Sequence, residues 1–143
     1  MGVEWSVTNS YPPVSEKTGR DPLSRMRVYQ LACALLTDCW TDAEELRRHP
    51  VTEKISGQLY AAVGSIAANI GEGYSRSSGR DRVRIFEYAL GSARESMTWY
   101  RSAEPVLGGE LVTARLDSLE EIRRLLLAII PRERDRVIRP TRL

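Results

Sequence analysis

Few side chains in this 143-residue sequence could perform catalysis. Its one histidine, His49, stands beside Pro50 in a predicted turn, whereas a metal site needs several ligands that converge on the ion. No Gly-rich phosphate loop follows a strand pattern. Since catalysis needs a constellation of groups, we expect a protein that is not an enzyme and that binds no metal or cofactor.

The two cysteines, Cys33 and Cys39, lie six residues apart in one predicted helix, about 9 Å along its axis. They cannot form a disulfide with each other there, so we interpret them as small packing residues in a reducing cytoplasm. The first 21 residues lack the apolar segment of a secretory signal, and residues 125–130 form an apolar run too short to span a bilayer. We therefore expect a cytoplasmic protein without a membrane partner.

Arginine is the residue type whose grouping suggests a binding function. The chain has 21 basic and 19 acidic residues, so any basic surface must be local. Four arginines with one acid between them straddle a predicted helix N-terminus, where free N–H groups attract anions. A second surplus, seven arginines against two acids, runs from residue 123 to residue 142. The predicted nucleic-acid-binding residues are Arg76, Arg80, Arg82, Arg84, Arg123 and Arg124. The alternative is a solvated face whose arginines pair with the protein's own acids.

Four helical segments must position these groups, and no strand pattern competes with them. Capping and helix-breaking residues limit the four segments. The first begins at Asp21-Pro22 and is stopped by Arg47-Arg48-His49-Pro50, and the second runs from Thr52, with its capping hydroxyl, to about Tyr74. The third begins at Ser78 and is ended by Pro105 and Gly108-Gly109, and the fourth runs from about Glu110 to Pro131. Short turns between them predict an all-α, antiparallel up-down-up-down four-helix bundle over residues 21–131. We expect residues 1–20 to form a disordered or docking N-terminal arm and residues 132–143 a flexible, charged tail.

The first helix carries more apolar surface than one buried face needs. Residues at spacings of three and four form the stripe predicted to face the core: Met26, Tyr29, Cys33, Leu36 and Trp40. A second apolar set lies outside this stripe: Val28, Leu31 and Leu35. We expect the second set to meet another subunit in an oligomer.

A polar line borders the apolar face of the second helix. Ser65, Asn69 and Glu72 share this line, and polar groups beside a core are costly unless they are hydrogen-bonded. We predict that they form an interhelical hydrogen-bond network with Ser92 and Glu95 of the third helix. An acid–base pair of Glu72 and Glu95 is the alternative, but single carboxylates in bundles more often accept hydrogen bonds.

Two motifs resemble a known family. The sequence SIAANIGEG at residues 65–73 is followed by Arg80-Asp81 and then by ALGSARE at residues 89–95. This combination resembles the bacterial four-helix-bundle family first noted in intervening sequences of large-subunit ribosomal RNA genes, which includes accessory proteins of diversity-generating retroelements. The similarity covers about residues 23–130.

The resemblance implies a homopentameric barrel and, for the retroelement members, binding to a reverse transcriptase and to nucleic acid. We therefore expect a homo-oligomeric, pentameric accessory protein that binds RNA or DNA without sequence specificity, with a reverse transcriptase as a further partner. The alternative is a protein-only oligomeric scaffold or adaptor that does not bind nucleic acid.

Overall fold

The computed structural model describes residues 21–134, and all the regular structure in this range is helical. A short 3-10 helix, Pro22–Arg25, precedes five α-helices: α1 (Arg27–Arg47), α2 (Glu53–Ser75), α3 (Gly79–Ser102), α4 (Glu104–Leu107) and α5 (Gly109–Arg134). No helix in this range is long and apolar enough to cross a membrane. The arm predicted for residues 1–20 and most of the predicted tail lie outside the described residues.

The four long helices pack around one apolar core. Helix α2 lies against α1 and α3, and α3 lies against α5. Side chains from all four fill the core, among them Val28, Ile66, Phe86 and Leu126. The predicted helical bundle is confirmed, while the up-down-up-down order of its helices stays a prediction.

The N-terminal boundary of the first helix differs from the prediction. Asp21 does act as a cap, since its side chain accepts a hydrogen bond from the Leu23 amide, but it caps the 3-10 helix. Met26 is extended, with a ψ of 118°, so α1 begins only at Arg27. The break has a tertiary cause that local sequence does not reveal. Leu23 packs against the core next to Gly71 of α2.

The assignment of the two apolar stripes on α1 is partly wrong, although Cys33 is buried as predicted. Val28 and Leu35 are core residues with almost no exposed surface, although they were predicted to face another subunit. Trp40, predicted to be in the core, is 58% exposed, and Tyr29 and Leu36 are only partly buried. Both stripes are apolar, so the spacing of residues could not decide which of them faces α2 and α5.

The connections between the helices also correct two predictions, one for Thr52 and one for Pro105. Thr52 makes no capping hydrogen bond to α2, because its hydroxyl donates to the Leu46 carbonyl and closes the preceding turn. Pro105 does not end α3, which stops at Ser102, but lies in the first turn of α4, where its missing N–H is harmless. Gly108 then separates α4 from α5 with a φ of +88°, a conformation that favours glycine.

Helix α5 continues through Pro131 to Arg134, three residues beyond its predicted end. A proline this near a C-terminus removes only one intrahelical hydrogen bond. The last turn is held from outside by Glu133, which is buried and bound to Arg82 of α3. Residues 132–134 therefore belong to the bundle and not to a flexible tail.

Candidate nucleic-acid interface

Three of the predicted binding arginines lie together at the turn between α2 and α3. Arg76 is the C-cap of α2, and Arg80 and Arg84 lie in the first two turns of α3. The turn is sharp because Ser78 caps α3, its hydroxyl oxygen accepting a hydrogen bond of 3.1 Å from the Asp81 amide. All three arginines are exposed. We call these residues, together with Arg134 described below, the arginine edge.

The ion pairs of the arginine edge are exposed ones. Arg76 binds Glu72 one turn earlier in α2, and Arg84 lies 3.7 Å from Asp81. Between residues 21 and 134, Arg80 has no acidic partner within ion-pair distance. Exposed pairs contribute about 0–1 kcal/mol, so these guanidinium groups can exchange their carboxylates for another anion at little cost.

Arg134 extends the arginine edge onto the end of α5. This side chain is 62% exposed and lies 3.8 Å from Glu87 of α3. The edge thus has a small positive surplus, four arginines against three acids: Arg76, Arg80, Arg84 and Arg134 against Glu72, Asp81 and Glu87.

An exposed aromatic ring lies next to the arginine edge. Tyr88 follows Arg84 by four residues, and 54% of its surface is exposed. The Arg84 guanidinium carbon lies 5.8 Å from the ring centroid, and an Arg84 Nη donates to the Tyr88 hydroxyl at 3.5 Å. Tyr88 is not among the residues predicted from the sequence. Its spacing of four from Arg84 is the signal that could have identified it.

Arg82, also predicted to bind nucleic acid, is buried, unlike the other arginines at this turn. It is only 4% exposed, and its Nε donates to Glu133 Oε2 at 2.7 Å. An Nη of Arg82 donates to the Tyr74 and Arg76 carbonyls at the end of α2, and the Tyr74 ring lies 5.3 Å from its guanidinium carbon. A residue two positions along a helix points about 200° away from its neighbours, so Arg82 turns inward where the exposed arginines turn outward. It fastens the α2–α3 turn to the end of α5.

The remaining predicted arginines share one carboxylate on α5. Arg123 donates to both oxygens of Glu120, and Arg124 Nε lies 3.3 Å from the same carboxylate. These hydrogen bonds, that of Arg123 above all, lower the pKa of Glu120 to about 2. Two arginines against one acid leave a local surplus of one positive charge.

Helical geometry places Arg123 on the same side of α5 as the arginine edge. Arg123 precedes Arg134 by 11 residues, about three turns and 16 Å along the axis. Arg134 meets Glu87 of α3, so Arg123 also lies on the side of α5 that faces α3. Arg124 lies about 100° further around the helix and is 74% exposed.

The five residues of the predicted polar network are not joined within one chain. Glu72 binds Arg76, and Glu95 accepts a hydrogen bond from Trp99 Nε1 at 3.2 Å. The partner of each carboxylate is thus four residues further along the chain and not on the other helix. Ser65, Asn69 and Ser92 are partly buried, and across residues 21–134 no side-chain hydrogen bond links any two of the five. The apolar face of α2 fills the contact with α3 and leaves this polar line at its border.

A different polar network crosses the core. The buried carboxylate of Asp42 on α1 accepts hydrogen bonds from the Tyr100 hydroxyl on α3 at 2.7 Å and from Arg115 Nε on α5 at 2.8 Å. Arg115 also lies 3.7 Å from Asp38. Burial raises the pKa of Tyr100 and raises that of the neighbouring Cys39 thiol to about 11. Asp42 follows Leu35 by seven residues, so an acid in the apolar register was the sequence signal for this network.

Comparisons with known proteins agree with this fold. A crystal structure of a protein with unknown function from the S23 ribosomal protein family of Bacteroides thetaiotaomicron aligns with a TM-score of 0.68. It is 23% identical, and the alignment covers 72% of this chain and 97% of that one, which shows a shared fold. No curated protein sequence matches the chain. A family model described as 23S rRNA-intervening sequence protein matches residues 24–128. The resemblance seen in the sequence is thereby confirmed, and the chain belongs to the 23S rRNA-intervening sequence protein family.

Proposed function

We propose that this protein is a homo-oligomeric accessory protein that holds RNA or DNA by its phosphate backbone along the arginine edge. The observation that carries the proposal is the arrangement of Arg76, Arg80 and Arg84, three exposed guanidinium groups at one turn. The buried Arg82 fixes this turn to α5, so the exposed groups have a rigid base. The description of the family, which names 23S rRNA, supports RNA as one ligand.

Phosphate is the ligand chemistry that fits these groups. A guanidinium group donates two parallel hydrogen bonds to phosphate oxygens, and the exposed carboxylates that now bind it are weak competitors. Contacts of this kind release counterions and carry no direct base information. Binding should therefore fall steeply with salt and vary little with sequence.

An exposed apolar face between α1 and α2 supports self-association. Trp40 and Tyr60 meet edge to face with ring centroids 5.6 Å apart, and both rings remain accessible. The partly buried Leu36 and Gly64 lie beside them, and small side chains here let another helix approach closely. We propose this face, in place of the Val28 set, as the contact between copies. The number five comes from the family resemblance.

Assembly would strengthen nucleic-acid binding. The arginine edge of one chain offers few phosphate contacts, each of them weak. A ring would repeat the edge once per subunit, and a strand that touches several copies gains avidity without any new kind of contact.

Binding assays at two salt concentrations test the nucleic-acid proposal. The variant Arg80→Glu/Arg84→Glu changes the charge by four units at the edge. The variant Arg48→Glu/Arg101→Glu makes the same change at two other exposed arginines, the C-cap of α1 and a residue in the last turn of α3. We expect the first variant to lose at least about tenfold in affinity for mixed-sequence RNA and DNA, and the second to bind like the wild type. Equal affinity of all three proteins would show that the arginine edge does not bind nucleic acid.

Light scattering tests the assembly. Trp40→Glu should lower the molar mass to that of one chain, because a charge in an apolar contact is not accommodated. Val51→Glu is the matched control, since Val51 is an exposed apolar residue in the α1–α2 connection. A wild-type protein that is a monomer at micromolar concentration would contradict this part of the proposal.

The alternative function is a scaffold that binds only protein. The observation in its favour is that several exposed arginines already contact the protein's own acids, as Arg27 does with Glu121 and Arg76 with Glu72. A wild-type protein that binds no nucleic acid at low salt would support it. A reverse transcriptase partner follows from the resemblance alone, and the observation that would support it is a reverse transcriptase gene and a template repeat next to this gene.

A further inference from the structure

Tyr88 differs from the other exposed aromatic residues in the described part of the chain. Trp40 and Tyr60 cover part of each other, whereas the Tyr88 ring contacts no other aromatic ring between residues 21 and 134. Within residues 21–134 its one polar partner is Arg84, which lies against the ring and donates to its hydroxyl. A flat, accessible ring held by a cation is the usual form of a platform for base stacking.

The neighbours of Tyr88 along α3 match the repeat of an extended strand. Arg80, Arg84 and Tyr88 follow one another at intervals of four residues, so they lie on one helical face about 6 Å apart along the axis. The two arginines can contact successive phosphates while the ring reaches the base that follows them. The order of charged and aromatic groups therefore suits a single strand that runs along the helix.

There is open space for a base beside the ring. Gly91 lies on the same face one turn beyond Tyr88, and a Cβ built on it would meet no atom within 4 Å. Glu95, one turn further, is an exposed acid that would repel phosphate. The basic part of this face thus ends at Tyr88 and Gly91, where a base can be accommodated.

We infer that the arginine edge selects unpaired nucleic acid, with the Tyr88 ring stacking on a base whose phosphates are held by Arg80 and Arg84. This inference rests on the proposed function and adds that the bound strand is unpaired. In a duplex each base face is already covered by its neighbours, so the ring has nothing to stack on and only the phosphate contacts remain. RNA and DNA share the stacking chemistry.

The test compares four ligands of equal length and mixed sequence: single-stranded RNA, single-stranded DNA, the DNA duplex and an abasic single strand. The proteins are the wild type, Tyr88→Ala, Tyr88→Phe and Arg80→Glu. We expect Tyr88→Ala to lower affinity for the two base-containing single strands by about tenfold and to leave duplex and abasic binding unchanged. Tyr88→Phe should bind like the wild type, because it keeps the ring.

Salt dependence separates stacking from charge. Tyr88→Ala removes no charge, so the dependence of affinity on salt should stay as in the wild type, while Arg80→Glu should weaken both affinity and salt dependence for every ligand. The ratio of RNA to DNA affinity shows which strand the site prefers. Since Tyr88 is exposed, its variants should keep the melting temperature of the wild type.

Two results would overturn the inference. One is unchanged single-strand binding by Tyr88→Ala, and the other is an equal loss on the duplex and the abasic strand. If binding still depends on salt and on Arg80 in those cases, only the stacking inference fails. If the wild type binds none of the four ligands at low salt, the proposed function fails and the inference fails with it.

Discussion

Replacing Arg82 by methionine should destabilise the bundle by about 3–5 kcal/mol, whereas Arg80→Met should change stability by less than about 0.5 kcal/mol. The Arg82 and Glu133 side chains are 5% and 11% exposed, so the exposed-pair figure of about 0–1 kcal/mol does not apply to them. The substitution takes the guanidinium from a largely buried carboxylate. It also takes hydrogen bonds from the two carbonyls that end α2. Methionine replaces the apolar stem, so the loss reports the polar contacts.

Urea denaturation followed by circular dichroism measures this difference. All variants should be compared at one protein concentration, because the stability of an oligomer depends on it. A double-mutant cycle with Glu133→Gln should give a coupling energy of about 1–3 kcal/mol. Arg82 is not the buried link between α3 and α5 if Arg82→Met and Arg80→Met unfold at the same urea concentration. The same conclusion follows if the coupling energy is near zero. Arg82 would again be a candidate for phosphate binding.

Three further measurements test particular contacts. The carboxyl of Glu120 should titrate near pH 2 by carbon-13 NMR and move toward its ordinary pKa of 4.5 in Arg123→Gln. Because the folded pKa is the lower one, this pair stabilises above about pH 4.5, and its contribution is lost as the pH falls toward 2. Cys39, whose pKa burial raises to about 11, should react with iodoacetamide at pH 8 only after unfolding, and rapid reaction of the native protein would contradict its burial. Gly73→Ala should lower the free energy of unfolding in urea by about 1–3 kcal/mol, since its Cβ would lie 3.0 Å from the chain's one phenylalanine ring. Gly91→Ala should raise it by about 1 kcal/mol, because a Cβ there meets no atom within 4 Å. A Gly73→Ala protein more stable than Gly91→Ala would refute this packing.

Features of the fold that depend on local chemistry could be predicted from the sequence. The Ser78 cap of α3 was identified because a hydroxyl three residues before an acid satisfies a free amide wherever the helix packs. The rotation of α1 could not be predicted, since Val28 and Trp40 lie on stripes of similar hydrophobicity and only the packing of other helices selects one. The predicted start of α1 is wrong for the same reason, because Leu23 packs against α2.

The candidate site shows the same division. Arg80 and Arg84 are four residues apart, and their shared exposure follows from helical geometry. That spacing also implies that Arg82 points the other way, so the sequence does carry a signal of its burial. Its partner Glu133 lies 51 residues away in sequence, and no local pattern could join the two. The role of the carboxylate beyond Pro131 could be seen only in the folded chain.

The hydrogen-bonded cluster of Asp42, Tyr100 and Arg115 has a consequence for the divergence of this family. Each of its members comes from a different long helix, and losing the acid alone would leave a half-buried guanidinium and a buried phenol without their shared acceptor. Relatives that replace Asp42 should therefore also carry an uncharged residue at position 115 and a residue without a hydroxyl at position 100. The three positions should vary as a set across the family, while Arg80, which has no such partner in residues 21–134, should vary independently of them.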